Sequence, residues 1–288
     1  MQVPTCTAAC ALHALGGTRN RGPKPHPMLT PEIVLAAAHD AGLEPSSIVL
    51  APVDGRGGPE IRIEPERYLY PASMLKTPLA LAAYTAVADG KLRLDDVFEV
   101  GPGVMTTSDD TPLVLGSRAS VEELIELMIT ISDNIATNMF YDILGRENAT
   151  SIVRDRYGLT RTAFYRKLSG SDPLIVDPDW DREHRNLHSA GDAARTFELI
   201  AADAAPYAQT LRAVLSRQKH NDRLNPGLRP GDRFAHKTGS TDEVNHDGGI
   251  LETAEGRTYV IVVYTGLPSS EESDARFAPF MKAVRAEL

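Results

Sequence analysis

The sequence predicts an α+β fold in which strands from both ends of the chain form one antiparallel sheet around a helical middle. Two predicted strands near the start flank a glycine-rich turn, and three more precede a closing amphipathic helix. We expect about five strands in one sheet, flanked by the terminal helices, with the helical middle inserted beside it. The predicted strands run over residues 47–53, 60–64, 234–238, 248–253 and 259–265, and the closing helix over 272–288.

Capping residues mark the helix starts. Thr30 precedes Pro31 at a first helical position, and Gly42 ends that predicted helix. Ser120 and Glu123 have the spacing of a capping box before an apolar run. The remaining helices are predicted over residues 73–89, 135–144, 148–157, 189–202 and 207–217.

This order of elements predicts three parts of the chain. Residues 1–27 form a leader; residues 28–72 and 219–288 form an α/β subdomain; residues 73–218 form an all-α subdomain. The leader lacks the basic start of a secretory signal, so it is a disordered segment, a poor signal or a misplaced start. It leaves the compartment of the protein open.

Composition excludes some classes of function. The 288 residues include 39 acidic and 30 basic ones, a net charge of -9 that disfavours nucleic-acid binding. No apolar stretch is long enough to span a membrane. Cys6 and Cys10 form a C-x-x-x-C pair near the N-terminus, which is weak as a metal site, and no H-E-x-x-H motif occurs. We expect no cofactor, no metal, a small-molecule substrate and a monomer.

Ser73 and Lys76 form the first motif with chemical meaning, an S-x-x-K at the start of a predicted helix. Positions i and i+3 share a helix face, so the lysine amine can reach the serine hydroxyl and take its proton. The motif is weak by itself, because Ser216 and Lys219 repeat it inside another predicted helix. Further evidence must separate a nucleophile from a helix-capping serine.

Two more motifs supply that evidence. Ser132-Asp133-Asn134 lies 59 residues after Ser73, and Lys237-Thr238-Gly239 lies 105 residues after Ser132. S-x-x-K, S-D-N and K-T-G together are the signature of class A β-lactamases and penicillin-binding proteins. From about residue 31 to the C-terminus, the chain therefore resembles the class A β-lactamase family of penicillin-recognising serine hydrolases. The resemblance implies a β-lactamase/transpeptidase-like fold.

The resemblance implies three catalytic residues. Ser73 would attack the substrate carbonyl and form an acyl-enzyme, with Lys76 as the acceptor of its proton. Ser132 would relay a proton to the leaving nitrogen.

Relatives of this family act outside the cytoplasm, so the resemblance suggests a periplasmic or secreted protein.

It also implies a set of binding residues. Asn134 would hydrogen-bond the substrate's side-chain amide, while Lys237 and Thr238 would hold its carboxylate. The backbone N–H groups of Ser73 and Ser240 would form an oxyanion hole. Such a site suits acyl transfer on an anionic amide.

The family's R-x-E-x-x-L-N pattern, which carries the glutamate that activates the deacylating water, is missing. By spacing, the equivalent position falls within residues 165–168, where Arg166 and Lys167 stand. Among the acids of the following loop, Glu183 is a candidate base, or part of a solvated acidic loop. Without a placed base, water attacks the ester slowly.

Three functions therefore remain open. The first is a β-lactamase that hydrolyses the β-lactam amide. The second is a D-Ala-D-Ala peptidase, esterase or acyltransferase with the same site, and the third is a sensing domain that traps β-lactams without turnover.

The residues His236, His246 and Asp247 are interpreted as structural.

Overall fold

The computed structural model describes residues 1–2, 29–53, 55, 58, 60–169, 175 and 177–288. Almost all of the predicted leader, with Cys6 and Cys10, lies outside the described residues, as does much of the first predicted turn. Within the described part, no helix is both long enough and apolar enough to cross a membrane.

The described helices and strands follow the predicted order. The helices are α1 (Pro31–Asp40), α2 (Lys76–Ala88), α3 (Val121–Thr130), α4 (Asn134–Leu144), α5 (Arg146–Tyr157), α6 (Ala190–Ala201), α7 (Ala208–Leu215), α8 (Glu271–Ala275) and α9 (Phe277–Glu287). The strands are β1 (Ser46–Pro52), β2 (Ile61–Ile63), β3 (Val97–Glu99), β4 (Arg118–Ser120), β5 (Thr162–Ala163), β6 (Leu187–His188), β7 (Arg233–Ser240), β8 (Asn245–Glu252) and β9 (Thr258–Thr265). Short 3-10 helices cover Ala72–Leu75, Pro102–Val104 and Asn225–Gly227.

The predicted α+β fold and its five-stranded antiparallel sheet are confirmed. The strand order is β2-β1-β9-β8-β7, so the N-terminal hairpin pairs with the C-terminal strands through β1 and β9. Strand β9 is buried along almost its whole length because helices cover both faces of the sheet. Its successive side chains point to opposite faces, which places Ile261 in one hydrophobic core and Val262 in the other.

Two hydrophobic cores lie on the two faces of the sheet. One core joins the sheet to the terminal helices through residues such as Val34 and Phe280. The other joins it to α6 and, beyond α6, to the remaining helices of the middle block. The helical middle therefore covers one face of the sheet, while the predicted division at residues 72/73 and 218/219 stays a prediction.

Capping residues located the helix starts well. Thr30 and Ser189 cap α1 and α6, and Ser120 with Glu123 forms the expected capping box before α3. The closing helix was predicted as one segment, but Arg276 ends α8, and α9 begins at the next residue. The ribbons β3–β4 and β5–β6 were missed, because strands of two or three residues show no alternation.

Candidate active site

Ser73 lies in the 3-10 turn Ala72–Leu75, which leads directly into α2. The predicted helix therefore begins as a tighter turn. Ala72 has a positive φ of 48°, a conformation that L-residues rarely adopt and that occurs at functional sites. Helix α2 is buried nearly all round, which holds this turn in place, while Ser73 itself stays partly exposed.

Lys76, one turn after Ser73, is fully buried and contacts the S-D-N segment. Its Nζ donates to the backbone carbonyl of Ser132, to Ser132 Oγ at 3.1 Å and to Asn134 Oδ1 at 2.8 Å. Among the described residues it makes no hydrogen bond to Ser73. The donors of this lysine, which the sequence predicts to activate Ser73, are directed to Ser132 and Asn134 instead.

Burial changes the acidity of Lys76. Loss of solvent lowers the pKa of its ammonium from 10.5 to about 7, against the opposing effect of the nearby Asp133 carboxylate. A substantial fraction of Lys76 is therefore a neutral amine near neutral pH. Only the neutral amine has a lone pair with which to accept the proton of a serine hydroxyl.

The S-D-N segment precedes α4 and combines structural with chemical roles. Ser132 has a positive φ of 60°, a second strained residue beside the site. Asp133 is the N-cap of α4 and accepts from the Ala136 amide at 2.9 Å, so this residue is the structural member of the motif. Asn134 donates through Nδ2 to the Thr107 carbonyl at 3.1 Å, which leaves its second amide hydrogen for another acceptor.

Lys237 reaches the same hydroxyl from strand β7. Its Nζ is fully buried and donates to Ser132 Oγ at 3.0 Å and to the Thr238 carbonyl at 2.8 Å. Burial and the nearby charges of Lys76 and Arg223 lower the pKa of Lys237 well below its ordinary value. The structure therefore brings the S-x-x-K lysine, the S-D-N serine and the K-T-G lysine together at one oxygen atom.

Gly239 lets strand β7 approach the turn that carries the nucleophile. A β-carbon at this position would lie 2.9 Å from the backbone nitrogens of Ser73 and Met74, closer than such atoms pack. Only glycine fits at this position of the K-T-G motif without moving the strand or the turn. Ser240 follows Gly239 and lines both cavities together with Ser73, and the backbone amides of these two serines are the predicted oxyanion hole.

Two cavities open on Ser73. The first, about 180 Å³, has on its walls Ser108, Asp109, Ile131, Ser132, His220, Arg223, Thr238 and Gly239. The second, about 270 Å³, is lined by Tyr70, Ala72, Arg166, Leu168, Ser169, Arg185, Thr241 and Asp242. Ser73, Asn134 and Ser240 line both, so the nucleophile stands where the two cavities meet.

His220 and Arg223 line the first cavity but were not predicted. Arg223 is buried, and its Nε donates to Asp274 at 2.8 Å. Neither residue belongs to a recognisable motif, so nothing in the sequence pointed to them. In the second S-x-x-K, immediately upstream, Ser216 is an exposed helix C-cap whose hydroxyl donates to the Ala213 carbonyl, and neither Ser216 nor Lys219 lines the two cavities.

The suggested base Glu183 does not reach the nucleophile. It is exposed and is absent from the walls of both cavities, while its amide donates to Asp181. Leu168 instead lines the second cavity. Both its backbone groups pair with the Asn138 side-chain amide, each at 2.8 Å, which fixes this apolar side chain beside Ser73.

A buried contact between His236 and Asp247 joins the K-T-G strand β7 to β8. His236 Nδ1 lies 2.8 Å from Asp247 Oδ1, and both side chains are almost completely buried. His246 Nε2 lies 2.8 Å from the Tyr70 carbonyl, and its ring stacks on Tyr264. Within the described ranges, no cluster of histidine, cysteine or acidic residues could hold a metal ion.

Comparison with known proteins identifies the family of this chain. Residues 35–282 match the β-lactamase enzyme family, so the chain belongs to that family. The chain is 27% identical to the β-lactamase regulatory protein BlaB of Streptomyces cacaoi, over 80% of this chain and 86% of that protein. The β-lactamase-like serine hydrolases are thus the class that fold and site define.

Solved structures show the same fold. A β-lactamase from Sphaerobacter thermophilus superposes with a TM-score of 0.76 at 26% identity, covering 89% of this chain and 97% of that one. PBP-A superposes with a TM-score of 0.76 at 24% identity, covering 91% and 97%. A variant of PBP-A has been solved as its acyl-enzyme complex with penicillin G, with a TM-score of 0.75, 24% identity and coverage of 91% and 98%.

Proposed function

We propose that this protein is a serine hydrolase of the β-lactamase type, acylated at Ser73 by a β-lactam whose amide bond it opens. One observation carries the proposal: Lys76 and Lys237 both donate to Ser132 Oγ, at 3.1 and 3.0 Å, beside Ser73. A buried amine, a relay hydroxyl and a cation for an anionic substrate are the parts that acyl transfer on such an amide requires.

Acylation uses these groups in turn. Ser73 Oγ bonds to the carbonyl carbon while its proton passes to neutral Lys76, and the N–H groups of Ser73 and Ser240 stabilise the oxyanion. The amide C–N bond then breaks. The leaving nitrogen takes the Ser132 hydroxyl proton, which Lys76 replaces, so that lysine ends the step neutral.

Release of the acyl group is the slower half of the proposed cycle. Water must attack the Ser73 ester, and a general base normally accelerates that attack by about 10² to 10⁴. The wall of the second cavity presents apolar Leu168, and Glu183 is exposed elsewhere. We therefore propose rapid acylation and slow hydrolysis.

Leu168 also favours a second candidate function. A protein that keeps its acyl group can report the presence of a β-lactam without destroying it. The relative BlaB is described as a regulatory protein, and the variant of PBP-A holds penicillin G as an acyl-enzyme. A sensing domain, or a peptidase that passes the acyl group to another acceptor, would use the same Ser73 chemistry.

Turnover and adduct formation separate these functions. The protein is mixed with a chromogenic cephalosporin, hydrolysis is followed by absorbance, and intact mass is recorded over the same period. Ser73→Ala removes the nucleophile, and Ser216→Ala is the matched control, because Ser216 belongs to the S-x-x-K that faces solvent.

We expect a mass adduct within minutes and turnover that is slow but sustained. The adduct disappears in Ser73→Ala and persists in Ser216→Ala. A permanent adduct without turnover would identify the sensing domain. An adduct that survives Ser73→Ala would contradict the proposal, and cleavage of D-Ala-D-Ala peptides or esters without any adduct would favour the second of the open functions.

A further inference from the structure

The second cavity carries positive charge that the acylation chemistry does not use. Arg166 and Arg185 both line it and are absent from the wall of the first cavity, where Ser132 lies. Burial raises the pKa of the Tyr70 hydroxyl, while Arg166 and Arg185 both act to lower it. Both guanidinium groups therefore lie within electrostatic reach of one atom on the cavity wall.

Arg166 is the less neutralised of the two. It is half-buried, its Nε and Nη2 reach only the Lys167 carbonyl at 3.4 Å and Ser169 Oγ at 3.3 Å, and it stacks over Trp180 at 4.8 Å. Among the described residues it has no carboxylate partner. A guanidinium has five N–H donors and binds carboxylates in pairs of hydrogen bonds, so Arg166 keeps donors for a ligand.

Arg185 adds a second, more exposed cation. It stacks on the Tyr70 ring at 4.5 Å, and its nearest described carboxylate is Glu243 at 3.6 Å. Both side chains of that pair are about half exposed or more, so solvent weakens their attraction. Asp242 also lines the cavity, but it is exposed. The half-buried charge in the wall is therefore that of Arg166.

The site geometry indicates which part of a substrate meets this charge. Ser132, the proposed donor to the leaving nitrogen, lines only the first cavity, while Asn134, the proposed ligand of the side-chain amide, lines both. The leaving part of the substrate therefore occupies the first cavity. The acyl side chain extends past Asn134 into the second.

We propose that the second cavity binds an anionic substituent on the acyl side chain of the substrate, with Arg166 as its main ligand and Arg185 as a second. The assignment of cavities to the two halves of the substrate rests on the proposed function. The preferred acyl donors then carry a carboxylate on each side of the scissile amide, one for each cavity.

Two penicillins make a matched pair of probes. Benzylpenicillin and carbenicillin differ by one carboxylate on the acyl side chain. Their equilibrium affinities are measured by calorimetry on Ser73→Ala, which cannot be acylated at that position, and again after adding Arg166→Gln or Arg185→Gln. Arg195→Gln is the control, because Arg195 is an exposed residue that pairs with Glu198 beside a different groove. Thermal unfolding of each variant checks that it is folded.

We expect carbenicillin to bind about tenfold more tightly than benzylpenicillin, the size of effect that one charge-assisted contact gives. The preference shrinks in Arg166→Gln, and to a smaller extent in Arg185→Gln, and persists in Arg195→Gln. Equal affinities, or a preference that survives both cavity variants, would overturn the inference.

The same samples separate this inference from the proposed function. Acylation of the unmodified protein by both penicillins is recorded by mass in parallel. Acylation with equal affinities would keep the proposed function and overturn the anionic cavity. A preference for carbenicillin without any acylation would support the cavity and contradict the proposed function.

Discussion

Lys76 has no solvent exposure, and its burial is what makes its amine chemically useful. A lysine in water is almost wholly protonated at neutral pH, whereas burial brings the pKa of Lys76 to about 7. Its contacts with Ser132 and Asn134 fix the position of the nitrogen, and among the described residues it makes no hydrogen bond to the Ser73 hydroxyl.

The rate of acylation should therefore follow the neutral form of Lys76. We expect the rate to be nearly level above pH 7 and to fall about tenfold for each pH unit below it, because protonation removes the acceptor lone pair. Lys76→Met should lose at least about 100-fold in rate. Lys219→Met, in the exposed S-x-x-K, is the control, and a rate that stays constant down to pH 5 would contradict this role.

In the proposed cycle, a second residue, Leu168, limits the release of the acyl group. Leu168→Glu places a carboxylate at the wall of the second cavity, on a backbone that Asn138 already holds. We expect the lifetime of the Ser73 adduct to shorten by about 100-fold, since a base then activates water. Leu168→Gln is the control: glutamine has the shape of glutamate but no basic carboxylate, so this variant should retain the adduct. Equal lifetimes in the two variants would refute this explanation of slow release.

Motif spacing pointed to those residues of the candidate site that belong to motifs, and to no others. Ser73, Ser132 and Lys237 were chosen as a set because three weak signals agreed in order and interval, and the fold brings them together. His220 and Arg223 reach the first cavity through the path of the chain after α7, which no local pattern encodes. Leu168 lies within residues 165–168, where spacing placed the missing glutamate, but it was not proposed as a site residue because an apolar residue in a loop usually indicates packing.

Strand β7 shows how one element prepares several parts of the site. It lies at the edge of the sheet, paired with β8, and it carries the buried His236, the amine of Lys237 and the close approach at Gly239. The strand can lie against the 3-10 turn of Ser73 only because Gly239 has no side chain. A single methyl group there should separate the two motifs.

Gly239→Ala adds one methyl group, and we expect it to lower the rate of acylation strongly. The added carbon would meet the Ser73 and Met74 backbone nitrogens at 2.9 Å, so strand or turn must move. We expect a loss of about 1 to 3 kcal/mol in the free energy of unfolding and at least about a tenfold loss in acylation rate. Gly101→Ala is the control, because nothing lies within 4 Å of its added carbon. A fully active Gly239→Ala protein would contradict the steric role.

Helices were more predictable than short strands because helix starts favour particular capping side chains. Thr30, Ser120 and Ser189 are recognisable as caps, and each accepts the expected backbone hydrogen bond. The break between α8 and α9 has no such signal. Arg276 ends the first helix while its guanidinium donates to the Gly42 carbonyl at 3.0 Å, a contact between distant parts of the chain.

In the protein as a whole, a single sheet separates two hydrophobic cores and ties the chain ends together. Arg285 of α9 makes two hydrogen bonds to Asp232, at 2.8 and 2.9 Å, with both side chains buried. The pair links the terminal helix to the start of β7. The order of elements predicted the sheet, but the long-range partner of a buried arginine depends on the final packing and is invisible to periodicity.

Asp232→Asn should lower stability without changing the chemistry. Among the described residues, the variant leaves the buried Arg285 charge with Glu255 as its one acidic partner, so we expect a loss of about 2 kcal/mol in the free energy of unfolding. The acylation rate should stay unchanged, because the pair is remote from Ser73. Denaturant unfolding and mass kinetics measure the two quantities, with exposed Asp40→Asn as the control. A loss of acylation at full stability would contradict this separation.

The central claim is that Ser73 is the residue that β-lactams acylate, and one measurement tests it directly. The protein is treated with benzylpenicillin, quenched in acid, digested, and the modified peptide is sequenced by mass spectrometry. We predict a single penicilloyl group, located on Ser73 and absent from Ser132 and Ser216. A modification at either of those serines, or no modification at all, would contradict the account.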